Sequence, residues 1–352
     1  MISIHANSAF SDELTRLGVH SLEEIYGESF EPYSYERLHG ATPEAQPDAD
    51  SQNFAANVAL DNFQDRIVEL QPICDGSTVA AVDVSSRSIG WTSRGVVYAL
   101  RGTIAWREEY AYRYLRCGPF LLHLKNTDFA YEAGSKRIGD AAEHWGEHRF
   151  CTPAGRIQSY LERELQSYVC RSAKDALVLF DGCLAAIPPS GHGALKETLD
   201  SAAGNRNAVI AVSKETSLNL FGEKITTLLE GLQSPCLIDL DDLIAEGNRA
   251  HRLLGRVFVG KLAHGGYGFR IDVDRHLTPR EAAEAVGRLM GSDLVVQGYP
   301  ETLRLAHILS FFTPTEVIGL QHFLVKNYGL TPAKTQPLRR MLFGPFGRGE
   351  GA

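Results

Sequence analysis

The stretch Ala176-Leu-Val-Leu-Phe-Asp-Gly-Cys-Leu184 decides the fold. A short apolar run bounded by turn residues reads as a strand buried on both faces. It closes on Asp181. Gly182 then permits a sharp exit, because glycine alone adopts positive φ cheaply. An acid at the carboxyl end of a central strand stands where open α/β sheets bind their ligands. An ordinary Asp-Gly turn would use the same two residues, so the stretch alone leaves both readings open. Thr78-Val-Ala-Ala-Val-Asp-Val-Ser-Ser-Arg87 repeats the design, with Asp83 closing the strand.

Around these two strands the pattern alternates. Gly95–Leu100 and Thr103–Tyr112 read as a hairpin turning at Arg101-Gly102, and Phe120–Leu124 as a further strand. Arg156–Arg171 reads as a helix, Gly193–Ala203 as another, and Ala208–Val212 as a third buried strand. A helix over Leu218–Leu232 is expected next. Then come a short strand Cys236–Ile238, a helical Leu240–Glu246, antiparallel strands Arg256–Leu262 and Gly268–Val273, and a strand Leu294–Val296. Thr278-Pro-Arg-Glu281 and Thr313-Pro-Thr-Glu316 are capping boxes that open two later helices. Pro300 suits the first turn of a helix running to Phe311, with Tyr299 as its cap. Antiparallel strands followed by βα alternation is the order of an RNase H-like core: a mixed sheet flanked by helices, in the α/β class.

Residues 1–74 read as a helical N-terminal region, with helices around Phe10–Leu17, Ser21–Tyr26 and Phe54–Ile73 and an exposed, polar loop over 31–53. Residues 75–330 form the main domain, with α+β elements added toward its C-terminal side. Residues 331–352 form a basic tail carrying Lys334, Arg339, Arg340 and Arg348.

The chain has 352 residues, 44% of them hydrophobic, and a formal net charge of −8. That charge argues against a broad basic coat for nucleic acid, but not against a local basic groove. No run of about 18 uncharged apolar residues is seen, so no membrane span is expected. The N-terminus lacks the basic start and apolar core of a signal peptide. The six cysteines are scattered without a CxxC pair, which disfavours a zinc site and suits a reducing cytoplasm.

Phosphodiester cleavage needs charge neutralisation and an activated water, which divalent ions held by converging carboxylates supply. Asp83 and Asp181 are the first two candidates. The third lies on the helix before Asp181. If its apolar side centres between Ile157, Leu161 and Tyr168, Glu164 falls about 50° from that centre and Glu162 about 110° away. Glu164 is then the better ligand and Glu162 the solvated acid, although an edge position with its head in water suits Glu164 too. Lys214 in Ser213-Lys-Glu-Thr-Ser217 can neutralise a phosphate oxygen or be a plain surface lysine. Tyr299 and His307 can hold phosphate, orient water or ligate metal, or simply pack on a helix surface. His264-Gly-Gly-Tyr-Gly268 lacks a phosphate-loop spacing and reads as a hairpin turn. No nucleophile–histidine signature is present.

Val82-Asp83-Val-Ser-Ser, Glu164, Leu179-Phe-Asp181-Gly, Val212-Ser-Lys214-Glu-Thr-Ser and Gly298-Tyr299-Pro through Ala-His307 together resemble the NurA nuclease domain, over about residues 75–310. The first motif departs from the Asp-Gly-Ser of many members, which alters local backbone geometry while keeping acid and hydroxyl. The resemblance implies a metal-dependent DNA nuclease of DNA end resection, using Mn²⁺ or Mg²⁺. It also implies a homodimer partnered by a HerA-type hexameric ATPase. Asp83, Glu164 and Asp181 would bind the metal and Tyr299 and His307 would complete the site. Two other readings keep the same fold: a non-catalytic guide of DNA for a ring ATPase, and an RNA nuclease, since nothing in the sequence marks a reader of the 2′-OH.

Overall fold

The computed structural model describes residues 19–33, 66–125, 153–186, 191–214, 216, 219–220, 223–229, 231–232, 235–243 and 252–332. Twelve of its strands form one sheet: β1 Val19–His20, β2 Ser29–Pro32, β3 Ile67–Glu69, β4 Val79–Thr92, β5 Gly95–Glu108, β6 Ala111–Lys125, β7 Leu177–Asp181, β8 Ala208–Ser213, β9 Cys236–Asp239, β10 Gly255–Lys261, β11 Gly268–Asp274 and β12 Thr331–Pro332. Their order is β1-β6-β5-β4-β7-β8-β11-β10-β9-β3, with β2 added to β4 and β12 added to β2. The antiparallel β6-β5-β4 ribbon followed by parallel β7 and β8 is the RNase H-like core.

Strands β4, β7 and β8 are apolar at successive positions because both faces are covered. Helices α1 (Pro153–Ser172) and α2 (Gly191–Gly204) pack on one face, against Ala80, Val82, Val178, Phe180 and Val209. Helices α3 (Pro279–Ser292) and α4 (Glu301–Ser310) pack on the other, against Val79, Ala81, Leu177, Leu179 and Ile210. Each Val, Leu, Ile and Phe side chain among them contributes about 1.5–3 kcal/mol when fully removed from water.

Several expectations hold. Both capping boxes form, at Thr278 with Glu281 and at Thr313 with Glu316, the latter opening α5 (Pro314–Tyr328). Others are corrected. The ribbon does not turn at Arg101-Gly102, because β5 continues through it with a bulge against β6; the turn lies at Glu109-Tyr110, both at positive φ. Gly102 serves helix packing instead: a Cβ there would lie 2.4 Å from the Leu165 side chain of α1. Over 218–232 the described residues form a small hairpin, Asn219–Leu220 with Glu223–Lys224, and a 3-10 turn Ile225–Leu229. Ile67–Glu69, expected as helix, is an edge strand on β9. In the N-terminal region the described residues give one 3-10 turn, Leu22–Ile25, and three strands, β1, β2 and β3, paired into the main sheet. Residues 10–17, 54–65, most of 31–53 and the basic residues of the tail lie outside the described set. The described cysteines are free thiols.

Glu301–Tyr328 contains a window of mean hydropathy 1.3, long and apolar enough by composition to cross a membrane. It is divided into α4 and α5 by Phe311–Thr313. Buried Arg101 of β5 holds that junction. It donates to the Phe311 carbonyl at 3.0 Å and to Glu316 at 2.8 Å, and lies 4.3 Å from the Phe312 ring centre. Burial pushes the Glu316 carboxyl up, but Arg101 and Thr313 outweigh it and hold the pKa at about 2, against an ordinary 4.5. A depressed carboxyl contributes stability that is full above its unfolded value and lost as pH falls through the folded one. Urea midpoints should therefore fall between about pH 4.5 and pH 2, and fall less steeply in Glu316→Gln. Equal slopes in the two proteins would show that this contact does not govern acid stability.

Candidate metal centre

The parallel pairing of β4 with β7 ends at Ala81 opposite Leu179. Two residues further along each strand stand Asp83 and Asp181, level with each other and on the α4 side by alternation. Helix α4 starts after Pro300, which is the cap, so Tyr299 precedes the cap by one residue. Asp293 fixes this start, accepting from the Thr302 backbone at 3.0 Å and from Tyr112 of β6 at 2.8 Å. Helix α4 then carries His307 over the end of β4. Ligand atoms of Asp83, Asp181 and His307 all lie within 4.8 Å of one another.

Asp83 is buried, Asp181 half-buried and His307 exposed. His307 Nδ1 is 3.5 Å from Asp83 Oδ2. Ser310, one turn after His307, bonds the same carboxylate oxygen; its hydroxyl also lies 2.9 Å from the His307 carbonyl and 2.8 Å from the Ser85 hydroxyl. Burial pushes the Asp83 carboxyl up, but the bonds from His307 and Ser310 and the charge of Lys214 outweigh it, and the net shift is downward. The carboxylate therefore keeps its charge while almost fully shielded from water.

Lys214 follows β8 directly. Its Nζ lies 2.7 Å from Asp181 Oδ2 and 5.8 Å from the centre of the Tyr299 ring. Tyr299 packs on Phe269 of β11 at 5.5 Å. Five of the six residues singled out from the sequence, Asp83, Asp181, Lys214, Tyr299 and His307, thus lie close together.

Glu164 is the exception. It is exposed, whereas Glu162 is half-buried with its carboxylate 3.5 Å from the Gln166 amide. The error lies in Tyr168, which is 40% exposed and does not mark the inner side of α1. Ala154, Ile157, Gln158, Leu161, Leu165, Gln166, Val169 and Cys170 are buried, and together they rotate the inner face by roughly 60–70° toward Glu162. Gln158, one turn before Glu162, donates to the Val84 carbonyl beside Asp83 at 2.6 Å. Ser310 was missed altogether. Its spacing of three from His307 puts both on one helix face, a signal that was available.

Two carboxylates and an imidazole around one point form a mixed oxygen and nitrogen donor set. It suits a divalent ion such as Mn²⁺ or Mg²⁺. No family model matches the chain, and a search of curated proteins found no match. Among solved structures, the NurA nuclease from Sulfolobus solfataricus superposes with a TM-score of 0.50 at 16% identity, over 76% of this chain and 89% of that one. A NurA structure bound to dAMP and manganese gives 0.45 at 9% identity, over 93% and 98%. Endonuclease V from Bacillus subtilis gives 0.32 at 12% identity, over 76% and 90%. The chain is thus a protein of the RNase H-like class, by its own strand order. Within that class its fold is NurA-like.

Proposed function

We propose that the chain is a divalent-metal-dependent nuclease that hydrolyses phosphodiester bonds of DNA. The observation that carries this reading is the convergence of Asp83, Asp181 and His307 within 4.8 Å at the end of two adjacent parallel strands, with the Lys214 ammonium alongside. Asp83, Asp181 and His307 would hold the ion. A divalent ion bound there supplies Lewis-acid polarisation of the phosphate and a nucleophilic water at neutral pH. Asp83 arrives already ionised, so no proton need leave it before a cation enters. Ser310 fixes its orientation. Lys214, now paired with Asp181, would supply a positive charge to a phosphate oxygen beside the ion. The Tyr299 ring, 5.8 Å from the Lys214 ammonium, would steady it.

We take residues 75–330 as the unit carrying this chemistry, with β1, β2, β3 and β12 pairing into its sheet and a basic tail beyond β12. The NurA-like fold supports the wider reading: a homodimer acting with a HerA-type hexameric ATPase in DNA end processing, with Mn²⁺ as the working ion. The reading is tested by incubating linear DNA with the purified protein in Mn²⁺, with and without such an ATPase. No cleavage in either condition would leave the non-catalytic guide as the better account.

We take Glu162, half-buried on the inner side of α1, rather than the exposed Glu164 as the acid that would support the metal centre from that helix. Glu162→Gln should lose most of its cleavage, by about 10-fold or more, a loss of the size seen even for groups behind metal ligands. Glu164→Gln should stay within about twofold of wild type, as surface changes usually do. The opposite ranking would return the role to Glu164.

A further inference from the structure

Strand β4 continues for nine residues beyond Asp83. On the side away from β5, β7 pairs with it only over Val79–Ala81 and β2 only over Gly90–Thr92. Between them the described residues place no strand against Asp83–Ser88. Asp83 of the candidate metal centre stands at one end of this stretch. By alternation Asp83, Ser85 and Arg87 share one face, and the Ser85–Ser310 contact fixes that face as the one bearing α4. Arg87 lies roughly 13 Å from Asp83, at about 3.3 Å per strand residue.

Arg87 differs from the arginines around it. Arg94 pairs with Glu28, and Arg101 and Arg116 both pair with Glu316. Among the described residues no carboxylate pairs with Arg87, and Glu31, opposite Trp91 on β2, does not do so either. Its guanidinium lies instead 5.3 Å from the centre of the Tyr33 ring. Tyr33 stacks on Trp91, with ring centres 5.4 Å apart and planes 20° apart. Both rings are half-buried and stay partly open to solvent. An aromatic ring holds the guanidinium plane without neutralising it, so the charge and its fork of donors are kept for an anion.

We propose that Arg87, backed by Tyr33 and Trp91, binds the backbone of a single strand of nucleic acid as it runs from the metal centre along the open edge of β4. This inference rests on the nuclease reading, because it takes the substrate of that site as the occupant. The unpaired cation matches a phosphate, and the adjacent rings match an unstacked base. A duplex has no such base to offer, since its bases are stacked inside. Basic grooves joined to aromatic platforms are the usual way of holding single strands without sequence preference.

The test is fluorescence anisotropy of a labelled single-stranded oligonucleotide and of the matching duplex in EDTA, where no hydrolysis competes. Arg87→Ala should weaken single-strand binding about tenfold and lower the log–log salt slope by about one. Arg87→Lys should recover the slope. Trp91→Leu should weaken the single strand roughly fivefold or more while leaving the slope in place. Arg280→Ala, a substitution of an exposed residue on α3, serves as the control. Single-strand affinity of Arg87→Ala within twofold of wild type, with an unchanged slope, overturns the proposal. Equal losses for duplex and single strand overturn its single-strand part. The outcomes separate from those of the cleavage assay: a wild type that binds through Arg87 but never cleaves retires the nuclease reading alone. A wild type that cleaves while Arg87→Ala binds normally retires this inference alone.

Discussion

Asp83→Ala and Asp181→Ala are each expected to lower cleavage of linear DNA in Mn²⁺ by more than about 100-fold, since groups that merely support metal ligands already cost 10–100-fold. The two should fail in different ways. Asp83 is buried, its carboxylate held by Ser310 and His307. Its loss would remove the buried carboxylate of the proposed ligand set, and raising Mn²⁺ should restore little. Asp181 is half-buried and already shared with Lys214 at 2.7 Å. Its loss frees Lys214 as well as removing a ligand, so part of the activity should return at high Mn²⁺. Calorimetric titration with Mn²⁺ checks the binding side of the same claim. Either variant cleaving at the wild-type rate, with an unchanged melting temperature, would remove that residue from the metal centre.

The two acids were legible because the signal is local. A run buried on both faces has no polar residue to spare, so a carboxylate at its end stands out. The capping boxes were legible for the same reason, since every participant lies within four residues. What failed depended on distant partners. Gly102 looks like a turn in its own neighbourhood and becomes a packing gap only when Leu165 arrives from α1. The true turn, Glu109-Tyr110, uses two non-glycine residues at positive φ and carries no sequence mark. The phase of α1 was misjudged because Tyr168 is amphipathic and can lie at the edge of an apolar stripe with its ring half in water. Ile67–Glu69 has helical apolar spacing but becomes a strand because β9 offers it an edge. Arg87 belongs to the same group. Its proposed role depends on Tyr33, more than fifty positions earlier, and on an edge of β4 against which the described residues place no strand.

The second large effect is on stability, at Arg270 and Asp272 of β11. The two side chains share a face, are 1% and 0% exposed, and meet through two hydrogen bonds of 2.7 and 2.8 Å. Asp272 also accepts from the Leu184 backbone at 2.9 Å. Asp272→Ala would leave the guanidinium buried without its carboxylate and the Leu184 N–H without its acceptor. The expected loss is about 3–5 kcal/mol, the usual cost of removing one partner of a buried pair. Arg270→Ala should cost a similar amount. A double replacement, Arg270→Met with Asp272→Leu, removes both charges at once and should come within about 1 kcal/mol of wild type or exceed it. Urea unfolding of the four proteins closes the cycle. Single variants as stable as wild type would mean that the pair is not isolated from water. The pair also explains why a costly arrangement is kept. Asp272 grips the chain three residues after Asp181, and Arg270 stands opposite Ser213, the residue before Lys214. The double variant should therefore stay folded yet hold Asp181 and Lys214 less firmly. Its cleavage should fall while its stability does not, a separation that a purely structural ion pair would not produce.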